Sequence, residues 1–222
     1  MGGGLCIAVC SDAASWINES IPELVFGWVA QGHRVVWAHK AGQLPGGALC
    51  FYLSYGRIVD PKTRARYQHN LVVHESDLPK GRGWAPMSWQ ILEGAQRIPV
   101  TLLEAVDAVD AGPIYLQDWI ELRGYELNPE WRALQAEATN RICRRFVERY
   151  PDVLTEAREQ IGAPSFYSKR GPEDSRLNPS ETLASQFKLL RVVDNVRYPA
   201  FFEIDGEKFV VRIDHCQQEG AA

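Results

Sequence analysis

The chain reads as an α/β protein, a mostly parallel twisted sheet flanked by helices, and three observations predict this. Residues 5–10, 48–54 and 71–74 are short continuous apolar runs, the pattern of strands buried on both faces. Segments with apolar residues at helical spacing separate the first runs, which gives a strand–helix–strand opening with a right-handed crossover. Near the C-terminus two strand-like runs flank Asp205-Gly206, a two-residue hairpin signal. At 222 residues the chain is long enough for one substantial core and a small appendage. The expected division is a main domain over 1–162 and a C-terminal linker, helix and β-hairpin subdomain over 163–222.

Taken in order, the first strand is 5–10. Gly2, Gly3 and Gly4 precede it and read as a flexible start, because a phosphate-cradling glycine fingerprint must follow a strand and open a helix. Ser11, Asp12 and Ser15 supply turn and capping groups. Trp16, Ile17, Leu24, Val25, Trp28 and Val29 then recur at helical spacing, with Pro22 in the first turns or at a break and Gly32 closing the helix. A second strand at 33–39, a loop at 43–47, the third strand at 48–54 and a polar helical turn at 62–68 follow. After the strand at 71–74 a Gly/Pro-rich loop leads to a helix opening near Ala85 and Pro86. That helix buries Trp89, Ile91 and Leu92 and ends at Gly94.

Residues 100–109 and 114–122 read as two strands of alternating character. Pro129 suits the first turn of a long helix whose apolar face is Leu134, Ala138, Ile142, Phe146 and Val147, with Pro151 stopping it. Beyond it are expected a short helix over 152–160, a polar loop over 165–178, an amphipathic helix over 180–190, and the hairpin strands 198–204 and 207–213.

The stretch from Asn70 to Gly112 concentrates the chemistry. His74 leaves a strand end and is followed by a glycine-rich turn and a helix, which puts an imidazole at the carboxyl edge of the sheet, where open α/β folds bind ligands. Asp110 is placed to orient it, and an imidazole meeting a carboxylate is the minimum for acid/base work. Alone, His74 reads more readily as a hydrogen-bonded structural residue at a strand end than as a catalytic one. Gly81 and Gly83 let the loop backbone approach a ligand or take positive φ. Trp84 either stacks on a sugar or nucleotide ring or plugs the loop against the core. Lys80 and Arg82 beside the loop suit an anionic acceptor. Arg170, Arg176, Arg191 and Arg197 suit anions too, although a solvated charged face explains them as well.

The residues His74, Ser76, Leu78-Pro79, Gly83, Pro86, Gly94, Thr101 and the run Asp110-Ala111-Gly112-Pro113-Ile114 resemble the signature of the 10-formyltetrahydrofolate-dependent formyltransferases. That family includes glycinamide ribonucleotide transformylase, methionyl-tRNA formyltransferase and the amino-sugar N-formyltransferases. The resemblance implies a Rossmann-like formyltransferase fold. It also implies His74 as acid/base and oxyanion-stabilising group, with Asp110 as its electrostatic partner. Tyr55, Arg57, Ile58, Val59, Asp107 and Val109 would form the cradle of the formyl donor, 10-formyltetrahydrofolate. Ser76, Lys80, Gly81, Arg82, Gly83 and Trp84 would face the acceptor, with Ser76 shaping the loop rather than acting as a nucleophile.

The sequence departs from its relatives at Val72, where the family carries an asparagine two positions before the histidine. Asn70 stands two residues further back, about 6.6 Å along an ideal strand. It is expected to replace the missing amide as a third catalytic residue, which requires that the backbone bulges or the loop path differs; the alternative is an asparagine that ends the preceding turn. Leu103 stands where some relatives have a histidine, which suggests a different acceptor pocket.

A net charge of −4 gives no electrostatic footprint for nucleic acid. No apolar run reaches the roughly 18 residues needed to cross a bilayer, and the five cysteines lack paired metal spacing. Reduced, buried thiols and a cytoplasmic location without metal are expected. The implied activity is N-formylation of a small amine, an amino sugar bound to a nucleotide or leading to a nonulosonic acid for surface glycans, with assembly into a homodimer left open. Other acceptors stay open: glycinamide ribonucleotide, aminoacyl-tRNA or a carrier-bound amino acid. So do a formyltetrahydrofolate hydrolase and a non-catalytic folate-binding relative.

Overall fold

The computed structural model describes residues 3–216; of the glycine-rich start, Met1 and Gly2 lie outside it. Gly4 packs tightly, since a Cβ there would lie 1.9 Å from the Gly32 carbonyl oxygen. Five strands, β1 (Cys6–Cys10), β2 (Arg34–Ala38), β3 (Gly47–Tyr52), β4 (Tyr67–His74) and β6 (Arg97–Glu104), join β7 (Ile114–Glu121) in one six-stranded sheet. Its order is β2-β1-β3-β4-β6-β7. The pairs from β2 to β4 are parallel, while β4–β6 and β6–β7 are antiparallel. The sheet is therefore mixed, with a parallel half that ends at β4.

Alternation along the central strands explains their unbroken apolarity. Ile7, Val9, Leu49, Phe51 and Leu71 enter the main core with residues of α1 (Ile21–Ala30), α3 (Pro86–Glu93) and α4 (Asn128–Arg149). Ala8, Cys10, Cys50 and Tyr52 join Ala41, Leu44 and Tyr67 in a second cluster, so both faces are covered, as parallel strands require. Phe51 stacks on Trp28 at 5.1 Å between centroids and meets Phe146 edge-on at 6.2 Å. Burial pushes the Cys10 and Cys50 thiols up to about 12, with the Asp12 charge adding to the effect at Cys10.

α1 is preceded by a 3-10 turn, Trp16–Glu19, and carries Pro22 in its first turn, where the missing N–H is an orphan in any case. α4 runs from Asn128 to Arg149 as its apolar spacing predicts. In the hairpin of β9 (Ala200–Ile204) and β10 (Glu207–Val211), Asp205 and Gly206 have φ of 53° and 84°, the two positive values a type I′ turn needs. The C-terminal part docks through α5 (Phe187–Val192). There Arg191 is buried against Glu126 at 3.2 Å, and its carbonyl accepts a bond from Trp131 Nε1 at 2.9 Å.

Several expected elements are different. The strand expected over 100–109 stops at Glu104; the rest is a loop, turned by Asp110 at φ 51° and by Gly112, whose missing Cβ leaves room for the Glu104 carbonyl. The helical turn expected over 62–68 is only α2 (Pro61–Arg64), because β4 begins at Tyr67 and takes Asn70 into the ladder. Residues 152–160 hold a 3-10 turn, Asp152–Glu156, and Arg158 then bridges to Ile114. The helix expected over 180–190 is confined to α5. Before it, Ser180 N bonds Asn178 Oδ1, Asn178 N bonds Gln186 Oε1, and Ser185 N bonds Thr182 Oγ1. Such side chains satisfy the backbone locally and compete with helix formation. The polar loop over 165–178 contains a short strand, β8 (Phe166–Tyr167), which pairs with β5 (Arg82–Gly83).

Because Phe51 is fully buried between two aromatic rings, Phe51→Ala is expected to cost about 3–5 kcal/mol in urea unfolding. A loss below about 1 kcal/mol would contradict this description of the core.

Candidate active site

His74 is the last residue of β4 and is 5% exposed. Its Nε2 lies 2.8 Å from the Gly81 carbonyl, and its Nδ1 lies 3.6 Å from Asp110 Oδ2. Since a carbonyl only accepts, Nε2 carries the hydrogen in this arrangement. In the neutral ring Nδ1 is then the basic nitrogen, and it is the one facing the carboxylate. At 3.6 Å the two groups are beyond a direct hydrogen bond, with each in range of a third atom between them.

The loop that presents these groups is held from three directions. Gly81 and Gly83 have φ of 69° and 100°, which side chains rarely adopt. The Gly83 N–H donates to Asp110 Oδ2 at 2.9 Å. From far along the chain, Ser165 accepts from the Arg82 N–H through its carbonyl and from the Gly81 N–H through Oγ, both at 2.9 Å. Tyr167 accepts from Trp84 N–H and stacks on Trp89 with centroids 6.0 Å apart. Gln160 Nε2 donates to the carbonyls of Asp110 and Gly112 at 2.8 and 2.9 Å, fixing the carboxylate's own turn.

The pair stands in a cleft of about 600 Å³, between the loop after β3 and the loop after β6. Val72 and Leu103 give it an apolar surface, and the predicted donor-cradle residues Tyr55, Arg57, Ile58, Val59, Asp107 and Val109 all line it. Ile58 is 82% exposed at its lip. The two lips are tied in place. Asp12 Oδ2 accepts from the Gly56 N–H at 2.9 Å, and Arg64 donates to the Ala105 carbonyl at 3.0 Å and pairs with Asp107. An apolar slot edged by loop backbone is the kind of site that fits a flat heterocycle.

Of the expected acceptor residues, Gly83 and Trp84 line the cleft, whereas Ser76, Lys80, Gly81 and Arg82 do not. Ser76 is buried beneath Gly81, Lys80 points to solvent, and Arg82 is occupied by Gln160 Oε1 at 2.6 Å. Gly81 contributes through its carbonyl to His74. Asn70 is likewise not brought to the cleft. β4 keeps a constant register with both neighbours, so the required bulge is missing. The Asn70 amide accepts from Tyr52 Oη at 3.1 Å and donates to the Arg64 carbonyl at 3.1 Å.

The cleft residues that were not singled out from the sequence as site residues include Asp12, Arg64, Glu75 and Arg132. Asp12 and Arg64 act across the fold on segments distant in sequence, and no local pattern marks that. For Gly83→Ala the new Cβ would lie 2.6 Å from the Tyr167 carbonyl oxygen at positive φ. Urea unfolding should show a loss of about 1–3 kcal/mol, whereas Gly171→Ala, with nothing within 4 Å, should stay within about 0.5 kcal/mol. Equal effects would contradict the clamped loop.

Residues 45–130, which include His74, the glycine loop and Asp110, match the family model described as Formyl transferase. A methionyl-tRNA formyltransferase of Anaeromyxobacter dehalogenans is 37% identical over 96 residues, which are 41% of this chain and 31% of that protein. The matches thus span about a third of the curated relatives' length. Among solved structures, HypX from Aquifex aeolicus in complex with tetrahydrofolic acid superposes with a TM-score of 0.78 at 16% identity, over 95% of this chain and 38% of that one. A 4-N formyltransferase from Francisella tularensis superposes with a TM-score of 0.71 at 16% identity, over 96% and 98%. Over residues 45–130, the chain is similar to the formyl transferase family.

Proposed function

We propose that the protein is an N-formyltransferase that moves a formyl group from 10-formyltetrahydrofolate to the amino group of a small acceptor, with an amino sugar as the favoured class. The observation that carries this reading is the convergence of His74 Nδ1 and Asp110 Oδ2 at one end of a cleft whose other surfaces suit a flat heterocycle. A solved sugar N-formyltransferase that shares the fold over nearly its whole length supports the acceptor class. The folate-bound HypX structure supports the donor.

The donor, when bound, supplies a formyl group on nitrogen. Tyr55 to Val59 and Asp107 to Val109 are the residues that would hold it. The Gly81 carbonyl takes the Nε2–H of His74 and so keeps Nδ1 free to accept the proton that an amine loses on attacking a carbonyl. Asp110 beside it stabilises the imidazolium that forms. The same nitrogen then holds a proton for return. Asn70 serves this site as a positioning residue, joining Tyr52 to α2. The proposed organisation is a catalytic unit over 1–162 with a C-terminal subdomain over 163–222 that braces the glycine loop. The proposed location is the cytoplasm, in keeping with the buried thiols; no helix among the described residues is long and apolar enough to cross a membrane.

The test is the absorbance change of folate release with 10-formyltetrahydrofolate and a panel of amino sugars, free and nucleotide-linked. Turnover should require an amine and should fall by about two orders of magnitude or more in His74→Asn and in Asp110→Asn. Release without amine would make the protein a hydrolase. Folate binding without turnover on any amine would overturn the enzymatic reading.

A further inference from the structure

The loop that carries Asp110 leaves the sheet at Glu104, and that residue's own side chain sets where it leaves. Glu104 is the last residue of β6 and stands opposite Leu71 of β4. One step further, Asn70 and Ala105 face each other where an antiparallel ladder would exchange two bonds. One of them is made, from the Ala105 N–H to the Asn70 carbonyl at 2.6 Å. The return bond is not: the Asn70 N–H donates instead to Glu104 Oε1 at 2.6 Å, and the Ala105 carbonyl accepts from Arg64 Nη1 at 3.0 Å. A carboxylate oxygen thus takes the place of a strand carbonyl, which ends the ladder and releases the chain. The loop returns to the same residue, because the Glu104 N–H donates to the Pro113 carbonyl at 3.0 Å and Gly112 packs on the Glu104 carbonyl.

The carboxylate is itself held from β7 and β4. Tyr115 Oη donates to Oε2 at 2.9 Å, and His69 Nδ1 lies 3.2 Å from the same oxygen. The His69 ring meets Tyr115 and Tyr150 edge-on, with centroids 6.1 and 5.8 Å apart. Burial, and then the Glu104 charge, push the Tyr115 hydroxyl above its ordinary pKa, so it stays a donor. Tyr115 belongs to the main core and Tyr150 packs against it. Glu104 borders the cleft, whereas His69, Tyr115 and Tyr150 do not line it. A buried carboxylate whose oxygens are all engaged is rigid and specific in direction.

We infer that Glu104, held by Tyr115 and His69, is a positioning residue for the His74 and Asp110 pair. Its carboxylate ends the β4–β6 ladder and so fixes the root of the loop that brings Asp110 to the imidazole. Because its oxygens are committed to these partners, it acts through the loop and not on a bound molecule. A displacement of about 1 Å in such a group can cost about a hundredfold in rate. The inference rests on reading His74 and Asp110 as the working pair, but its first readout needs no turnover.

Nitrogen-15 NMR of His74 in the full chain reports the surroundings of Nδ1. Glu104→Ala leaves the Asn70 N–H without its acceptor and should move this signal toward the position it takes in Asp110→Asn. Glu104→Gln keeps one carbonyl oxygen for Asn70 and should move it less far. Asp118→Asn, which removes a carboxylate of β7 paired with Arg141 at 2.7 Å, should leave it in place. If Glu104→Ala does not fold, Glu104→Gln and Tyr115→Phe give the reading, and both should move the signal. In formyl transfer to the amino-sugar panel, kcat should fall about tenfold or more in Glu104→Ala and recover in part in Glu104→Gln. A His74 signal that stays in place in the folded variants, or that Asp118→Asn moves as far, would overturn the inference. So would a kcat for Glu104→Ala within about twofold of the wild type. NMR shifts as described in a protein that transfers no formyl group would instead count against the enzymatic reading alone.

Discussion

The structure around the cleft depends on one carboxylate. Asp110 Oδ2 accepts the Gly83 N–H and faces His74 Nδ1, so the loop after β6, the glycine loop after β4 and the imidazole at the end of β4 are set by a single group. A hydrogen bond from a backbone N–H to a carboxylate is shorter and stronger than one between neutral groups. Its own backbone is fixed at positive φ by Gln160 and by the close packing of Gly112. Positive φ at a non-glycine residue costs free energy and persists where the surroundings over-determine it.

The rest of the molecule can be seen as support for that constraint. The parallel half of the sheet ends at β4, so His74 stands where the parallel ladder gives way to antiparallel pairing. The C-terminal segment runs back along the glycine loop and closes it with backbone bonds from Ser165 and Tyr167. A region distant in sequence thereby determines whether Gly81 can offer its carbonyl to the imidazole. Arg64 performs a similar task on the opposite lip, holding the 105–107 loop from α2.

Much of this was legible in the sequence, for identifiable reasons. Apolar runs, the Asp205-Gly206 turn and the apolar spacing of α4 report local chemistry, and they placed those elements closely. The nearness of His74 to Asp110, and the cleft lined by Tyr55, Arg57, Ile58, Val59, Asp107 and Val109, followed from motif spacing joined to a family resemblance. The failures have a common physical cause. Asn70, Ser76, Lys80 and Arg82 were assigned by nearness in sequence to His74, yet strand alternation and loop closure decide which side chains reach a cleft. Asn70 goes to Tyr52, Ser76 goes under Gly81, and Arg82 goes to Gln160. The helix expected over 180–190 failed because serine, threonine, asparagine and glutamine side chains captured its first turn.

The central claim is that His74 presents Nδ1 as its basic nitrogen to Asp110 while Nε2–H is committed to the Gly81 carbonyl. Nitrogen-15 NMR of the histidine side chains, with His74 assigned by substitution, reads the tautomer directly. A neutral His74 ring protonated on Nε2, whose Nδ1 signal moves in Asp110→Asn, is the predicted result. A neutral ring protonated on Nδ1, or a His74 signal indifferent to Asp110→Asn, would contradict the account.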